Sequence, residues 1–282
     1  MRKILAAVDL GADTLNIVAH AEWLASGNKA GDRSCVVLLH IMDFGMTPPA
    51  YLLPYIERER ALAENKLKEI AAGINARGLK AEYRTMMGRL VETINTAIRE
   101  TGPDMMVLGV KSHLIRPSSS ERLIKSLDIP MLVVRGPKNV TDGIMIKNIL
   151  CAVDFSETSL KALRTARELA EAHEAALTAV HVVPIEKPFI GWVDSCKDDL
   201  CRFKDESVQK ADERLKSLVP QNCKAMVRCG FPHEELNNAA SETGADIIIS
   251  GARGLSYIKG IMIGSVSETL IKSASKPVMI IR

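Results

Sequence analysis

Residues 245–254 read Ala-Asp-Ile-Ile-Ile-Ser-Gly-Ala-Arg-Gly, and residues 264–273 read Gly-Ser-Val-Ser-Glu-Thr-Leu-Ile-Lys-Ser. The first stretch predicts a short buried strand that ends in a glycine-containing loop, because its apolar residues are consecutive and β-branched. The second stretch predicts a short helix with Val266 and Leu270 on one apolar face. A strand, a glycine-containing loop and a helix in this order are typical of α/β proteins that hold phosphate groups.

Three glycines and two serines give this loop its predicted chemistry. Gly251 and Gly254 would let the backbone turn sharply and approach a ligand without a Cβ in the way, and Gly264 would free the turn into the helix. Ser265 and Ser267 would add hydroxyls beside the N–H groups of a helix N-terminus, where anions are favoured. The alternative interpretation is that the glycines only serve turns. Their joint position between a strand and a helix favours the phosphate loop.

The chain repeats itself once. Residues 4–9 (Ile-Leu-Ala-Ala-Val-Asp) match residues 149–154 (Ile-Leu-Cys-Ala-Val-Asp), and a second match joins 120–126 to 267–273. Each copy spans roughly 140 residues, which is enough for a domain with its own hydrophobic core. Glycine, proline and polar residues at 136–143 interrupt the apolar pattern and predict the boundary. The predicted domains are residues 1–137 and 145–282.

Within each copy, short β-branched runs alternate with longer helical patterns. This alternation predicts two tandem, doubly wound α/β domains, each a five-stranded parallel sheet of order 3-2-1-4-5 flanked by helices. Ligands in such sheets bind at the carboxyl ends of strands one and four, where the winding reverses. In the second copy these strands lead into Asp154 and Gly251, so both features converge on one crevice. The predicted strands there are 148–153, 176–183, 224–229, 246–250 and 278–281, and the predicted helices are 158–173, 200–218, 233–242 and 266–273.

The composition excludes several classes of function. The 37 basic and 34 acidic residues leave a net charge of only +3, and aromatic residues make up 4% of the chain. Neither value fits a nucleic-acid-binding surface, so no nucleic-acid partner is predicted. No apolar run is long enough to cross a membrane, and Asp9 interrupts the first apolar stretch before it could act as a signal peptide. We therefore expect a cytoplasmic protein without a membrane partner.

The cysteines do not form a recognisable metal or disulfide pattern. A chain of this size needs no disulfides for stability, so reduced thiols are expected. Cys196 and Cys201 are flanked by aspartates, but their spacing does not give a CxxC pair, and no metal site is predicted. The six cysteines are Cys35, Cys151, Cys196, Cys201, Cys223 and Cys229.

Taken together, the motifs resemble the tandem, two-domain members of the universal stress protein family over essentially the whole chain. Residues 152–156 (Ala-Val-Asp-Phe-Ser) are similar to the family's first strand and turn, and residues 180–182 (Val-His-Val) to its second strand. Residues 230–235 (Gly-Phe-Pro-His-Glu-Glu) resemble its strand-to-helix turn. The spacing Gly-x2-Gly-x9-Gly-Ser over 251–265 fits its ATP-binding loop. The resemblance implies the fold predicted above, with ATP or AMP, with or without Mg²⁺, bound in the second copy.

The resemblance also implies roles for individual residues. Asp154 and the Val182 backbone would meet the adenine and ribose, with Ala152 and Ser250 as lining. Asp154 would accept hydrogen bonds from the nucleoside rather than contact phosphate, because two anions repel each other. Its alternative role is that of a turn or N-cap residue for the following helix, which Ser156 can equally cap. No catalytic residue is predicted, and the phosphate side would consist of Gly251, Arg253, Gly254, Gly264, Ser265 and Val266.

The first copy departs from this pattern in the loop after Gly109, which is five residues shorter than its counterpart. Ser112 and Pro117 stand where the second copy has glycines, and a proline removes a backbone donor. Lys111 and Arg116 would still attract an anion. We predict that the first copy has a degenerate loop and binds nucleotide weakly or not at all.

Other polar residues have structural interpretations. His40 and His181 occupy matching positions inside apolar strands without a metal or triad pattern, so we predict structural roles for them. His233 follows Pro232 and precedes two glutamates, which is typical of a helix start. Residues 185–203 are predicted to be a loop at the crevice edge, with a lid or a partner surface as alternatives.

Three functions fit the sequence. The first is a nucleotide-binding regulatory protein of the stress response that acts on an unidentified protein partner. The second is an adenylate-forming or ATP-hydrolysing enzyme, such as a weak ATPase, although no Walker lysine, pyrophosphatase-type SGG loop or second acidic cluster supports turnover. The third is a scaffold in which the terminal strands 130–135 and 277–282 pair the two copies as an internal pseudo-dimer, with a homodimer as a further step. The intact loop of the second copy argues against a pure scaffold.

Overall fold

The computed structural model describes residues 2–27, 34–43, 49–110, 124–136, 143–184, 197–254 and 263–282. The chain folds into two units, Met1–Met145 and Ile146–Arg282. Each unit has a parallel sheet with helices, which confirms the predicted α/β fold class.

The first unit is built on strands whose central members are almost wholly apolar. Its described strands are β1 (Lys3–Ala7), β2 (Cys35–Met42), β3 (Lys80–Met87), β4 (Met105–Gly109) and β5 (Met131–Val134). Its longer described helices are α1 (Thr14–Ser26), α2 (Leu53–Ala76) and α3 (Leu90–Thr101), and a 3-10 turn, Ala50–Leu52, precedes α2. All pairings within the sheet are parallel, in the order β3-β2-β1-β4-β5.

The second unit repeats this arrangement. Its described strands are β6 (Asn148–Ala152), β7 (Ala176–Pro184), β8 (Lys224–Gly230), β9 (Ile247–Gly251) and β10 (Val278–Ile281). Its described helices are α4 (Glu157–His173), α5 (Lys197–Leu218), α6 (Pro232–Glu242) and α7 (Ser265–Ser273). The parallel order β8-β7-β6-β9-β10 is again 3-2-1-4-5 when the strands are counted within the unit.

Local sequence signals explain where these elements begin and end. The hydroxyl of Ser156 accepts a hydrogen bond from the backbone N–H of Ser159 at 3.2 Å and caps α4. Pro232 opens α6, and Glu234 and Glu235 lie in its first turn, as predicted. All five strands of the second unit match their predicted ranges to within one residue at either end. The helices end where predicted, but α5 begins at Lys197, so the last residues of the predicted 185–203 loop are helical.

The two units share unusual backbone conformations as well as topology. Leu10 and Phe155 follow the first strand of their units with φ values of 60° and 65°. Gly88 directly follows the third strand of the first unit and Gly230 ends that of the second, with φ values of 144° and 155°. Positive φ is rare for residues with a Cβ, so its recurrence at matching turns supports the duplication. The core of each unit lies on both faces of its sheet, where β4 and β9 are almost fully buried.

Candidate functional site

A cavity of about 370 Å³ opens at the carboxyl ends of β6, β7 and β9 in the second unit. Cavities that bind small molecules typically measure about 300–1,000 Å³. β6 lies between β7 and β9, and the winding of the sheet reverses at this strand. The cavity therefore occupies the position at which doubly wound sheets bind ligands.

All ten residues predicted for the site line this cavity. They are Ala152, Asp154, Val182, Ser250, Gly251, Arg253, Gly254, Gly264, Ser265 and Val266. Sequence reasoning did not assign seven further lining residues to the site, of which Val153 and His181 are direct chain neighbours of predicted residues. These seven are Val153, Ser159, Val180, His181, Pro184, Pro232 and Leu236. Ser267, which was predicted to offer a hydroxyl to the loop, lines the cavity as well.

Asp154 organises the turn between β6 and α4. Its Oδ1 accepts hydrogen bonds from the backbone N–H of Ser156 at 3.0 Å and from the Ser156 hydroxyl at 2.5 Å. The alternative role of Asp154 as a turn residue is thus present in the structure, while Ser156 is the N-cap. The second carboxylate oxygen, Oδ2, faces Gly254, where an added Cβ would lie only 2.5 Å away. One oxygen therefore holds the turn, and the other faces the glycine-containing loop.

The turn after β6 is fastened to the loop after β9. The Thr158 hydroxyl donates a hydrogen bond to the carbonyl oxygen of Arg253, and the Ser156 hydroxyl lies 3.2 Å from the same oxygen. Because these hydroxyls belong to the start of α4, they connect the ends of strands one and four of the unit. The two sides of the crevice are held together by side chains of the chain itself.

The absence of a Cβ at Gly251 serves close packing against α4. A Cβ there would lie 2.8 Å from the backbone nitrogen of Ser159 and 2.8 Å from the backbone carbon of Thr158. Real Cβ atoms do not approach backbone atoms this closely, so the fold requires a glycine at position 251. The prediction that this glycine clears space for a ligand is wrong in its reason, because the missing Cβ faces the helix start.

Gly254 and Gly264 differ in what they require. Gly254 lies against the Asp154 carboxylate, so a side chain there would displace one of the two. Gly264 has φ −74° and ψ 158°, an extended conformation open to any residue, and an added Cβ would find its nearest neighbours at 3.6 Å. The backbone at position 264 therefore does not require glycine, and the prediction that Gly264 is needed for the turn into α7 is wrong.

The N-terminus of α7 borders the cavity with backbone N–H groups. The first N–H groups of a helix have no partner within the helix, and they favour anions. Ser265 is exposed at this end. Ser267 is buried, and its hydroxyl donates to the carbonyl oxygen of Gly251 at 2.6 Å. Of the two serines that were predicted to offer hydroxyls, Ser267 thus uses its proton to hold α7 against β9.

An aromatic stack lies beside the β7 wall of the cavity. The Phe155 ring is 4.5 Å from the His181 ring between centroids, and the Arg214 guanidinium lies 4.2 Å over the Phe155 ring. His181 Nδ1 is 2.7 Å from the carbonyl oxygen of Val153 and therefore carries the hydrogen, because a carbonyl only accepts. Burial lowers the pKa of His181, although the bond to Val153 opposes this shift. The predicted structural role of His181 agrees with this bond, and His181 also lines the cavity.

The first unit has the same framework with different side chains. Asp9 Oδ1 accepts from the backbone N–H of Gly11 at 2.9 Å, and His40 Nδ1 lies 2.9 Å from the carbonyl oxygen of Val8. Asp13 stands where the second unit has Thr158, and it is 8% exposed. The predicted degenerate loop, with Lys111, Ser112, Arg116 and Pro117, lies outside the described residues.

Within the described ranges, no three His, Cys, Asp or Glu side chains form a group that could hold a metal ion, and no helix is long and apolar enough to cross a membrane. Cys35, Cys151 and Cys223 are buried free thiols whose pKa values are raised mainly by burial. The side chains of Cys196 and Cys201, and most of the predicted 185–203 loop, lie outside the described residues.

Comparison with known proteins agrees with the internal repeat. A family model described as "Universal stress protein family" matches residues 1–135 and again residues 145–282. The chain belongs to the universal stress protein family. The predicted tandem organisation of this universal stress protein is supported by its relatives, because single-domain relatives each match about half of it.

Two relatives and one solved structure illustrate the likeness. A universal stress protein of Methanocaldococcus jannaschii is 29% identical over 157 residues, which cover 50% of this chain and 97% of the relative. Universal stress protein G of Escherichia coli O157:H7 is 32% identical over 146 residues, 49% of this chain and 100% of the relative. The crystal structure of a universal stress protein from Archaeoglobus fulgidus aligns with a TM-score of 0.71 at 19% identity, over 99% of this chain and 98% of that one. At this identity the structural likeness supports the fold alone.

Proposed function

We propose that this universal stress protein is a regulatory protein that binds an adenine nucleotide, ATP or AMP, in the crevice of its second unit. One observation carries the proposal. The acidic turn after β6, the glycine-containing loop after β9 and the N-terminus of α7 meet around one cavity of ligand size. Each of these features could bind a different part of a nucleotide.

The cavity is lined by both apolar and polar residues. Val182, Pro184, Pro232 and Leu236 are among the apolar ones, which suit the flat face of a purine base. Asp154 also lines the cavity and would accept hydrogen bonds from ribose hydroxyl groups.

Gly254 and Ser265 line the cavity beside the N-terminus of α7. Backbone N–H groups and the helix dipole favour phosphate oxygens there. When Mg²⁺ accompanies ATP, its charge would offset that of the phosphates. The protein's own contribution is the set of backbone donors, which suits phosphates with or without the ion.

We infer that binding, rather than turnover, is the purpose of the site. Among the described lining residues, Asp154 and Arg253 are the charged ones. Oδ1 of Asp154 is already held by Ser156 through two hydrogen bonds, so this carboxylate is poorly placed to activate a water molecule. Any hydrolysis would be slow compared with the lifetime of a regulatory complex. The nucleotide would act through a surface whose conformation differs between the bound and free states.

We further propose that the first unit binds nucleotide more weakly. Asp13 brings a second acidic residue to the turn that already contains Asp9. Two carboxylates in one crevice repel a phosphate ligand more strongly than a single one. The shorter loop with Ser112 and Pro117 supports the same proposal from the sequence.

Calorimetric titration of the nucleotide-stripped, full-length chain tests the proposal. ATP with Mg²⁺, ATP with chelator and AMP are each titrated, and GTP tests the choice of base. A single site per chain is expected. Gly254→Glu should abolish it, because the new Cβ would lie 2.5 Å from Asp154 Oδ2 and the added carboxylate would repel phosphate.

Gly73→Glu is the matched control. It adds the same charge on α2 of the first unit, where a Cβ would make an ordinary contact of 3.5 Å with Arg77. This variant should bind as the unmodified chain does. No binding heat with any nucleotide would overturn the proposal. Two equal sites, or one site unaffected by Gly254→Glu, would overturn the assignment to the second unit.

The scaffold function is a second candidate, because β5 (Met131–Val134) and β10 (Val278–Ile281) consist of apolar residues alone. Pairing of the two copies through these strands, and homodimerisation beyond it, rest on the sequence alone. Nucleotide titration distinguishes the two candidates, since a pure scaffold has no need of a ligand. A chain that fails to bind any nucleotide but keeps its fold would favour the scaffold.

A further inference from the structure

The N-terminal half of α2 presents large apolar side chains to solvent. Tyr55 is 71% exposed and Leu62 is 56% exposed, and Tyr51 in the preceding 3-10 turn is 78% exposed. Aromatic residues make up only 4% of the chain, so two exposed tyrosines at one helix end are a notable concentration. Exposed apolar residues that cluster in this way mark interaction surfaces more often than chance.

The helical period places these residues on one side of α2. Tyr55 and Leu62 are seven residues apart and share a face, with Arg58 and Glu59 between them on the same face. All four side chains are exposed, and we call them the α2 stripe. A different face of the helix packs on the core, through Ile56, Ala63, Leu67, Ala71 and Ile74. The fold is thus satisfied without the α2 stripe.

The second unit shows that the fold does not need an apolar residue at the position of Leu62. Ala63 and Leu67 of α2 are buried, as are Ala211 and Leu215 of α5, and each pair has the same spacing. When the helices are aligned on these residues, Lys210 occupies the position of Leu62. The inner face is repeated between the units, and Phe203 stands at the position of Tyr55, whereas the position of Leu62 is apolar in the first unit only.

The charges of the α2 stripe are self-complementary in one arrangement. If two copies of α2 lie antiparallel with Tyr55 opposite Leu62 of the other copy, Arg58 lies opposite Glu59 of the other copy, and the reverse contact repeats by symmetry. Opposite charges then face each other at both places. A parallel arrangement would set Arg58 against Arg58 and Glu59 against Glu59, which is repulsive.

We propose that the α2 stripe binds a second copy of this chain, in a two-fold symmetric, antiparallel helix pair. This surface belongs to the first unit alone and is separate from the terminal strands and from the nucleotide site. The proposal does not depend on nucleotide binding.

The size of the surface predicts a weak dimer. Tyr55 and Leu62 of each copy, with Tyr51 beside them, would bury a few hundred Å², whereas stable complexes bury about 800 Å² per partner. We therefore expect a reversible dimer with a dissociation constant of the order of 0.1 mM. Such a dimer would form where the protein is abundant and separate where it is dilute.

Sedimentation equilibrium of the full chain tests the proposal over about 10 µM to about 1 mM, a range that brackets the expected dissociation constant. The unmodified chain should shift from monomer to dimer across this range. Leu62→Lys, which copies Lys210 of the second unit, should abolish the shift. Arg58→Glu should weaken association by at least about tenfold, because it places like charges opposite each other twice.

A charge exchange makes the test specific for the register. The double variant Arg58→Glu with Glu59→Arg should restore association, since each pair of opposite charges is regained with the signs reversed. Lys68→Glu is the matched control: it makes the same change of charge at an exposed α2 position outside the stripe, and it should associate normally. A monomer throughout the range, association unaffected by Arg58→Glu, or failure of the double variant to recover would each overturn the proposal.

Discussion

The turn after β1 in the first unit and the turn after β6 in the second share a backbone but differ in their side chains. Leu10 and Phe155 both have positive φ, and Asp9 and Asp154 both accept a hydrogen bond from the backbone N–H two residues later. Beyond this point the second unit uses Thr158, whose hydroxyl holds the loop after β9. The first unit has Asp13 there, and an ionised carboxylate cannot donate to a carbonyl oxygen.

This difference separates what the fold requires from what a ligand would require. The strained backbone and the aspartate recur in both units, so they belong to the shared framework of strand one and its helix. The hydrogen bond from the Thr158 hydroxyl to the Arg253 carbonyl is found in the second unit, where the Ser156 hydroxyl lies 3.2 Å from the same oxygen. This bond holds the two sides of the crevice at a fixed separation, which favours tight binding because less ordering is needed when a ligand arrives.

Replacing Gly251, the last residue of β9, by alanine should cause the largest loss of stability. Gly251→Ala forces a Cβ to 2.8 Å from backbone atoms of Thr158 and Ser159, and overpacking of this kind costs about 1–3 kcal/mol. Gly109→Ala in the first unit is the matched comparison. Its Cβ would meet the end of the Ile17 side chain at 3.0 Å, which can move, so a smaller loss is expected.

Denaturant-induced unfolding measures both losses of stability. The comparison between the units predicts that the free energy of unfolding falls clearly more for Gly251→Ala than for Gly109→Ala. Equal losses would show that the start of α4 yields as easily as a side chain does. The inferred rigidity of the crevice in the second unit would then be wrong.

Much of this arrangement could be predicted from the sequence. A run of β-branched residues identifies Ile247–Gly251 as a buried strand, and the internal repeat fixes the same strand order for both units. The rule that ligands bind where the winding reverses then brings Asp154 and Gly251 to one crevice. These inferences succeed because they depend on periodicity and connectivity, which a sequence states directly.

Contacts between side chains distant in sequence could not be predicted. Nothing in the sequence places Arg214 over Phe155, because that contact depends on how α5 packs beside β7 and β8. The missing Cβ of Gly251 was assigned to a ligand, whereas it clears space for the backbone of α4. The sequence does not predict the α2 stripe either, since helical periodicity identifies the buried face and leaves open whether outer apolar residues are covered.

Changes at Thr158, the counterpart of Asp13 in the first unit, should have the next largest effects, on stability and on ATP affinity. Thr158→Val removes the donor to the Arg253 carbonyl and should lower the free energy of unfolding by about 1 kcal/mol. Thr158→Asp copies Asp13 and adds a carboxylate near Asp154, since both side chains contact the Ser156 hydroxyl. If the proposed nucleotide site is correct, Thr158→Asp should weaken ATP binding by at least about tenfold through charge repulsion.

Calorimetry and unfolding on the same samples separate these two effects. Thr158→Val should lose stability with little change in ATP affinity, while Thr158→Asp should lose affinity as well. If Thr158→Asp binds ATP as tightly as the unmodified chain, the proposal that Asp13 weakens nucleotide binding in the first unit is wrong.

Removing the aromatic ring of Phe155 should cause a smaller loss of stability. Phe155→Leu copies Leu10 of the first unit and removes the contact between Arg214 and the ring, which is worth about 0.5–1 kcal/mol at a partly exposed site. A double-mutant cycle with Arg214→Gln isolates this interaction from the other consequences of each change. A coupling energy indistinguishable from zero would show that the stack is a geometric coincidence.

The smallest effect is a dependence of stability on pH that arises from His181. Burial lowers the pKa of His181 below its ordinary value of 6.5, so the unfolded chain takes up the proton first as the pH falls. The stability associated with the neutral ring is complete above pH 6.5 and is lost as the pH falls from there towards the lowered pKa of the folded chain. His181→Asn keeps a donor for the Val153 carbonyl but does not titrate. The melting temperature of the variant should therefore fall less than that of the unmodified chain between about pH 7 and about pH 5. Parallel curves for the two chains would mean that burial of this ring leaves its protonation equilibrium the same in the folded and unfolded states.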